Sequence, residues 1–128
     1  MRALLDTHAL LWWLVADERL SERARETIAD PRSELYLSAA SSWEIAIKVR
    51  LGRLRLPRPP RSLIPAVLAE QRIRPLEISH SHALATADLP PLHRDPFDRL
   101  LAAQARMEKL VIVSSDPVFG RYGVRTVW

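Results

Sequence analysis

Short apolar runs alternate with amphipathic stretches along this chain. Ala3-Leu4-Leu5 breaks off at Asp6, and a run that short suits a buried strand better than a helix. Leu10, Leu11, Leu14 and Val15 then recur at helical spacing and predict a helix leading away from Asp6. A charged helix is expected from about Ser21 to Ala29, stopped by Asp30-Pro31. Leu35-Tyr36-Leu37 is the second strand candidate, closed by Ser38, a good helix N-cap. The following helix, Ala39 to Leu51, ends at Gly52, where a left-handed cap residue belongs.

Leu56-Pro57-Arg58-Pro59-Pro60 reads as an extended surface loop, because proline removes donors and fixes φ. Another helix is expected from about Ser62 to Gln71. Arg74 to Ile78 is a third strand, and its proline puts it near a sheet edge. Ser79 to Ala87 reads as helical, and Leu89 to Arg94 as a loop. Asp95-Pro96 opens a helix running to about Lys109. Leu110 to Val113 is a strand rich in β-branched residues, a turn follows at Asp116-Pro117, and Val124 to Val127 closes the chain as the last strand. Strands alternating with helices imply a parallel sheet of five strands with helices on both faces: a three-layer α/β/α fold in a single domain over residues 1–128.

Composition narrows the chemistry. The chain has no cysteine, which removes disulfides, thiolate zinc sites and cysteine nucleophiles. No apolar run approaches the roughly 18 residues of a membrane helix, and no basic start leads into an apolar signal core. A cytoplasmic protein with no membrane contact is expected. Nineteen basic against 15 acidic residues leave a net charge of +4, which favours a polyanionic partner without saying which.

In open α/β sheets, function gathers outside the carboxyl ends of the strands. Asp6 ends the first strand, and Glu44 lies in the second turn of the helix after the second. Asp95 and Asp98 begin the helix before the fourth strand, and Asp116 follows that strand. Asp6 and Asp116 also fit as caps, and Asp95-Pro96-Phe97-Asp98 is close to a capping box in which Asp95 reads as the cap. Glu44 stands among Trp43, Ile45, Ala46, Ile47, Val49 and Leu51, so its helix is expected to be buried and its carboxylate to need neutralising. Its structural alternative is a pair with Lys48, one turn on. Asp6, Glu44, Asp98 and Asp116 converging at one sheet end would repel each other without a cation. Oxygen-only donors point to a hard ion, Mg²⁺ or Mn²⁺, and to metal-assisted phosphodiester hydrolysis.

These residues also carry a resemblance. Leu4-Leu5-Asp6-Thr7-His8-Ala9-Leu10-Leu11-Trp12, Ser38 to Lys48, Asp95 to Ala105 and Val111 to Asp116 resemble, in order, four motifs of PIN-domain ribonucleases, specifically VapC-type toxins of toxin–antitoxin pairs. The resemblance spans residues 4 to 116. It implies Asp6, Glu44, Asp98 and Asp116 as the acidic site residues, with Ser114 as a supporting hydroxyl. It further implies a five-stranded α/β/α fold, a Mg²⁺- or Mn²⁺-dependent cut in RNA, a homodimer, and a neutralising antitoxin. In this reading Asp6, Asp98 and Asp116 bind the metal, and Glu44 binds it or orients the attacking water.

Six basic residues and no acid lie between Lys48 and Arg61: Lys48, Arg50, Arg53, Arg55, Arg58 and Arg61. They read as a phosphate-binding rim or, equally, as an antitoxin contact, with a solvated helix end and loop as the structural alternative. One of Trp12 and Trp13 is expected in the core, the other on a dimer or antitoxin surface. His80 and His82 sit at i and i+2, which do not face each other on a helix, so a metal pair is not expected. His8 is assigned to capping or packing, and His93 carries no signal.

A non-catalytic protein- or RNA-binding module on the same fold is the alternative, countered by the presence of all four acids. A phosphotransfer receiver would need an Asp at the end of the third strand, where Glu77-Ile78-Ser79 stands. A haloacid-dehalogenase-like phosphatase would need a second Asp at position 8, where His stands.

Overall fold

The computed structural model describes residues 1–92 and 95–128. Its sheet has five parallel strands: β1 (Arg2–Leu5), β2 (Glu34–Ser38), β3 (Ile73–Leu76), β4 (Val111–Val113) and β5 (Thr126–Val127). Their order is β3-β2-β1-β4-β5. The chain therefore builds outward from β1 to one edge, then returns to its other side. β3 is an edge strand, which is where Pro75 costs least, opposite Leu37.

Side chains alternate across the sheet and feed two cores. Ala3, Leu5, Leu35, Leu37 and Val113 face α1 (Thr7–Leu14), α2 (Glu22–Ala29) and α4 (Pro60–Glu70), and Ile45 of α3 (Ala39–Arg50) joins them. Leu4 and Ile112 face α6 (Pro96–Glu108) and α7 (Val118–Arg121) on the other side, with Ile78 and Ala85 around α5 (His80–Ala85). Helices on both faces give the α/β/α layering expected of the alternating pattern. No helix among the described residues is long and apolar enough to cross a membrane.

Local chemistry fixes the helix ends. Asp6, Ser21, Ser38, Ser79 and Asp95 are all N-caps whose side chains accept a backbone N–H. At the end of α3, Gly52 adopts φ +72°, its N–H donating to Val49 and the Arg53 N–H to the Lys48 carbonyl at 2.9 Å. That pair of bonds closes the helix and needs the left-handed residue that glycine supplies.

Several boundaries differ from expectation. α4 starts at Pro60, inside the stretch read as loop, because proline at the first helical position has no donor to lose. β5 is only two residues long, and α5 gives way to a 3-10 turn over Thr86–Asp88. α3 is not buried all round: Ala40, Ser41 and Ile45 face inward, while Trp43 is 59% exposed. Apolar residues on nearly every side do not bury a helix whose neighbours, α1, α4, α6 and β2, leave Trp43 and Ala46 open to water. Trp12 and Trp13 are both half-buried at the rim of one core, neither fully inside. Of the loop expected over 89–94, His93 and Arg94 lie outside the described residues.

Candidate active site

The strand order reverses between β1 and β4, and ligands of open α/β sheets bind in the crevice at such a point. Leu5 and Val113 are paired in register at the carboxyl ends of these strands. The residues that follow, Asp6 on one side and Ser114 to Asp116 on the other, are therefore neighbours by construction. Asp6 is held in place by its own N–H donating to the Val113 carbonyl at 3.2 Å.

A cleft of about 350 Å³ opens there. Asp6, Glu44, Asp98 and Asp116 all line it, with Asp95, Thr7, His8, Ser114 and Ser115. Four separate stretches of chain thus supply the carboxylates: the β1–α1 junction, α3, the start of α6, and the turn after β4.

Three of the aspartates also accept backbone hydrogen bonds from residues close by in sequence. Asp6 accepts the Ala9 N–H at 2.7 Å and Asp116 the Val118 N–H at 2.9 Å. Asp95 caps α6, accepting from Phe97 at 2.8 Å and Asp98 at 3.3 Å, and lines the cleft as well. The capping and site readings of these aspartates are compatible, since a carboxylate has about four lone-pair positions. Ser114 lies between two of the acids: its hydroxyl accepts the Asp116 N–H at 3.0 Å, and its presence beside Asp6 favours the ionised carboxylate there.

Glu44 is gripped from both sides. Thr7 Oγ1 donates to Glu44 Oε1 at 2.7 Å, and Lys48 Nζ pairs with Oε2 at 2.9 Å. Thr7 also lies 3.0 Å from Ser41 Oγ. The Lys48 pair expected as the structural alternative is therefore present, in a carboxylate that faces the cleft all the same.

Burial pushes the Asp6 carboxyl above its ordinary value of 3.8, and the neighbouring charge of Asp116 adds to this. Hydrogen bonds from Ser114 and Ala9, and the proximity of His8, pull the other way without cancelling it. A buried anion beside another anion is a place where a cation lowers the energy. Apart from the His8 imidazole, the side-chain donors lining the cleft are oxygens of carboxylates and hydroxyls, which fits a hard divalent ion. Among the described residues, however, no three acidic or histidine groups stand together as a preformed cage. The carboxylates instead line a shared cleft, those of Asp6, Asp95 and Asp116 accepting nearby backbone N–H groups and that of Glu44 held by Thr7 and Lys48.

Thr7 and Ser41 are the residues that sequence reasoning missed. The position of Thr7, one residue past Asp6 and at the head of a helix, is the signal that could have marked it. His8 is exposed at the cleft and its ring packs against Trp12, with centroids 5.4 Å apart. His82 is buried and away from the cleft: it completes the α5 capping box and reaches Glu108 at 2.9 Å.

The basic stretch divides in space. Lys48 and Arg53 line a depression that shares Glu44 and Asp95 with the acidic cleft. Arg50 and Arg61 line a separate, larger groove between α3 and α4. Arg58 donates to the Ser62 carbonyl at 2.9 Å.

Residues 3–124 match the PIN domain. Ribonuclease VapC22 of Mycobacterium tuberculosis (strain ATCC 25618 / H37Rv) is 34% identical over 114 residues, 88% of this chain and 85% of that protein. The chain belongs to the PIN-domain VapC family. Ribonuclease VapC16 of the same organism is 43% identical over a shorter stretch, 58 residues, which is 45% of this chain and 41% of that protein. Solved structures share the fold at lower identity. VapBC2 from Rickettsia felis, bound to a DNA fragment from its promoter, matches with a TM-score of 0.72 at 15% identity, covering 98% of this chain and 97% of that one. A toxin–antitoxin complex from Klebsiella pneumoniae matches with a TM-score of 0.58 at 17% identity, covering 90% and 87%. The cleft of this PIN domain lies where the strand order of its parallel sheet reverses, and every acid of the four motifs lines it.

Proposed function

We propose that this PIN domain is a divalent-metal-dependent endoribonuclease and the toxin of a toxin–antitoxin pair, acting in the cytoplasm. The observation that carries the reading is the gathering of Asp6, Glu44, Asp98 and Asp116, from four stretches of chain, along one cleft. The VapC ribonuclease relatives support the activity, and the fold's likeness to a toxin–antitoxin complex supports a protein antitoxin as partner. The resemblance also favours a homodimer, which the solution mass would report.

Asp6, Asp98 and Asp116 would hold Mg²⁺ or Mn²⁺, with the Ser114 hydroxyl fixing the backbone of Asp116 beside Asp6. When bound, such an ion supplies a Lewis acid that activates water and offsets charge on a phosphoryl oxygen. Glu44 would bind the ion or orient the attacking water, held in position by Thr7 and Lys48. In the hydrolysis, the water oxygen bonds to phosphorus, the bond to the leaving ribose oxygen breaks, and that oxygen takes up a proton.

The test is cleavage of a single-stranded RNA pool by the purified chain with Mg²⁺ or Mn²⁺, with EDTA as control. Metal-dependent cuts lost in Asp98→Asn are expected. An intact pool with the folded wild-type chain overturns the nuclease reading, and equal cutting by Asp98→Asn overturns the site.

A further inference from the structure

Beside the acidic cleft lies a second depression of about 320 Å³, with Glu44 and Asp95 forming part of both. Its character is different. Phe97, Ile47 and Leu51 give it apolar walls, and Lys48 and Arg53 stand on its lining. Leu51 is 59% exposed, a large apolar surface that water covers at some cost. Trp43, also 59% exposed, meets Phe97 edge to face, with centroids 5.2 Å apart and rings at 76°. That contact fixes the plane of the Phe97 ring.

We infer that this depression is a nucleotide subsite, taking the base next to the scissile phosphodiester of a single-stranded RNA. The inference rests on the nuclease reading above and says where specificity resides. An apolar wall with a fixed aromatic ring suits the face of a base, and stacking on such a ring is how unpaired bases are bound. A cation beside it suits the phosphate that the base carries. Arg53 is the better candidate, because its guanidinium has no side-chain partner among the described residues, whereas Lys48 is occupied by Glu44. Continuity with the acidic cleft gives the path: the strand passes from the carboxylates, where the bond is cut, across Glu44 and Asp95 to the apolar wall and Arg53, where the neighbouring nucleotide is held. A purely apolar partner would not call for Arg53, and a purely electrostatic one would not call for the exposed Leu51 and Trp43.

The test separates binding from cleavage. Short single-stranded oligoribonucleotides carrying 2-aminopurine at successive positions are titrated with the intact chain in EDTA, where cutting is off. Quenching at one favoured position is expected in the wild type. Phe97→Ala should lose that quench and weaken binding roughly tenfold, and Phe97→Tyr should restore both. Because Phe97 also packs against the core, Leu51→Glu serves as a second variant at an exposed position and should also weaken the quench.

With Mn²⁺ and a random RNA pool, the wild type should prefer particular bases at one position flanking the cut, and Phe97→Ala should flatten that preference. Efficient cutting of the pool without position-specific quenching overturns the subsite and leaves the nuclease reading standing. An uncut pool with the quench intact overturns the nuclease reading and keeps the RNA subsite. Phe97→Ala or Leu51→Glu converting a dimer to a monomer with the quench unchanged would make this face a contact between two copies instead, and overturn the subsite.

Discussion

Thr7 and Glu44 are joined by a 2.7 Å hydrogen bond that spans 37 positions in sequence and links the first turn of α1 to the middle of α3. The bond leaves the Glu44 carboxylate facing the cleft while Lys48 pairs with its second oxygen. Thr7 is 4% exposed, so little water competes for the hydroxyl.

Thr7→Val keeps the shape of the side chain and removes the donor. The loss of a hydrogen bond to a charged acceptor should cost about 1–3 kcal/mol of stability, read by denaturant unfolding. Cleavage should fall by roughly tenfold or more, as when an outer partner of a metal ligand is removed. Thr7→Ser should restore most of both. Full activity in Thr7→Val would show that Glu44 is positioned by Lys48 alone.

Much of this site is legible in the sequence because it is built from strand ends. Asp6 directly follows the run Ala3-Leu4-Leu5, and Asp116 lies three residues beyond Val113, so the alternating pattern carries both to the same edge. What periodicity cannot supply is strand order. Only the pairing of Leu5 with Val113 makes the ends of the first and fourth strands neighbours. The partial exposure of α3 is hidden for a related reason: composition says that a helix is apolar, but not how many of its faces find a neighbour. The even spread of the bases from Lys48 to Arg61 likewise hides that Gly52 turns the chain, sending Arg50 and Arg53 to different depressions.

Gln104 should be among the least replaceable residues outside the cleft. It is fully buried in α6, accepts from Ser38 Oγ at 2.6 Å, and donates to the Glu77 carbonyl at 3.2 Å. Ser38 is the N-cap of α3, so this bond holds the helix bearing Glu44 against the helix bearing Asp98. Gln104→Leu fills similar space but strands the buried Ser38 hydroxyl and releases the Glu77 carbonyl of an exposed residue. A loss of about 1–3 kcal/mol is expected in denaturant unfolding. A change below about 0.5 kcal/mol would mean that water or a rotamer change satisfies both groups.

The division of the basic stretch predicts unequal effects of charge reversal. Arg53→Glu with Arg55→Glu should weaken RNA binding and flatten its dependence on salt, by about 0.7 in log–log slope for each phosphate of a single strand that is no longer neutralised. Arg50→Glu with Arg61→Glu alters the separate groove between α3 and α4 and should leave the slope nearer that of the wild type. Equal slopes for the two double variants, measured across a salt series, would mean that RNA crosses both surfaces.

Asp6 should limit the stability of the metal-free chain while being required for its activity. Burial raises its carboxyl above 3.8, so ionising it disfavours the folded state. Between the unfolded value and the raised folded value, the folded chain binds more protons than the unfolded one, and stability falls as pH rises through that window. Above the window the penalty is present in full; below it, both states are protonated and the penalty is gone. Asp6→Asn removes the charge and keeps a good N-cap for the Ala9 N–H. In EDTA, the variant should therefore melt higher than the wild type at neutral pH, with the advantage shrinking as pH falls through the window. Added Mg²⁺ or Mn²⁺ should narrow the gap by stabilising the wild type, because an ion that binds only the folded state raises its apparent stability. RNA cleavage by Asp6→Asn should drop to background under every condition. A variant that melts lower than the wild type in EDTA at neutral pH would show that the hydrogen bonds from Ser114 and Ala9 outweigh the burial of the charge.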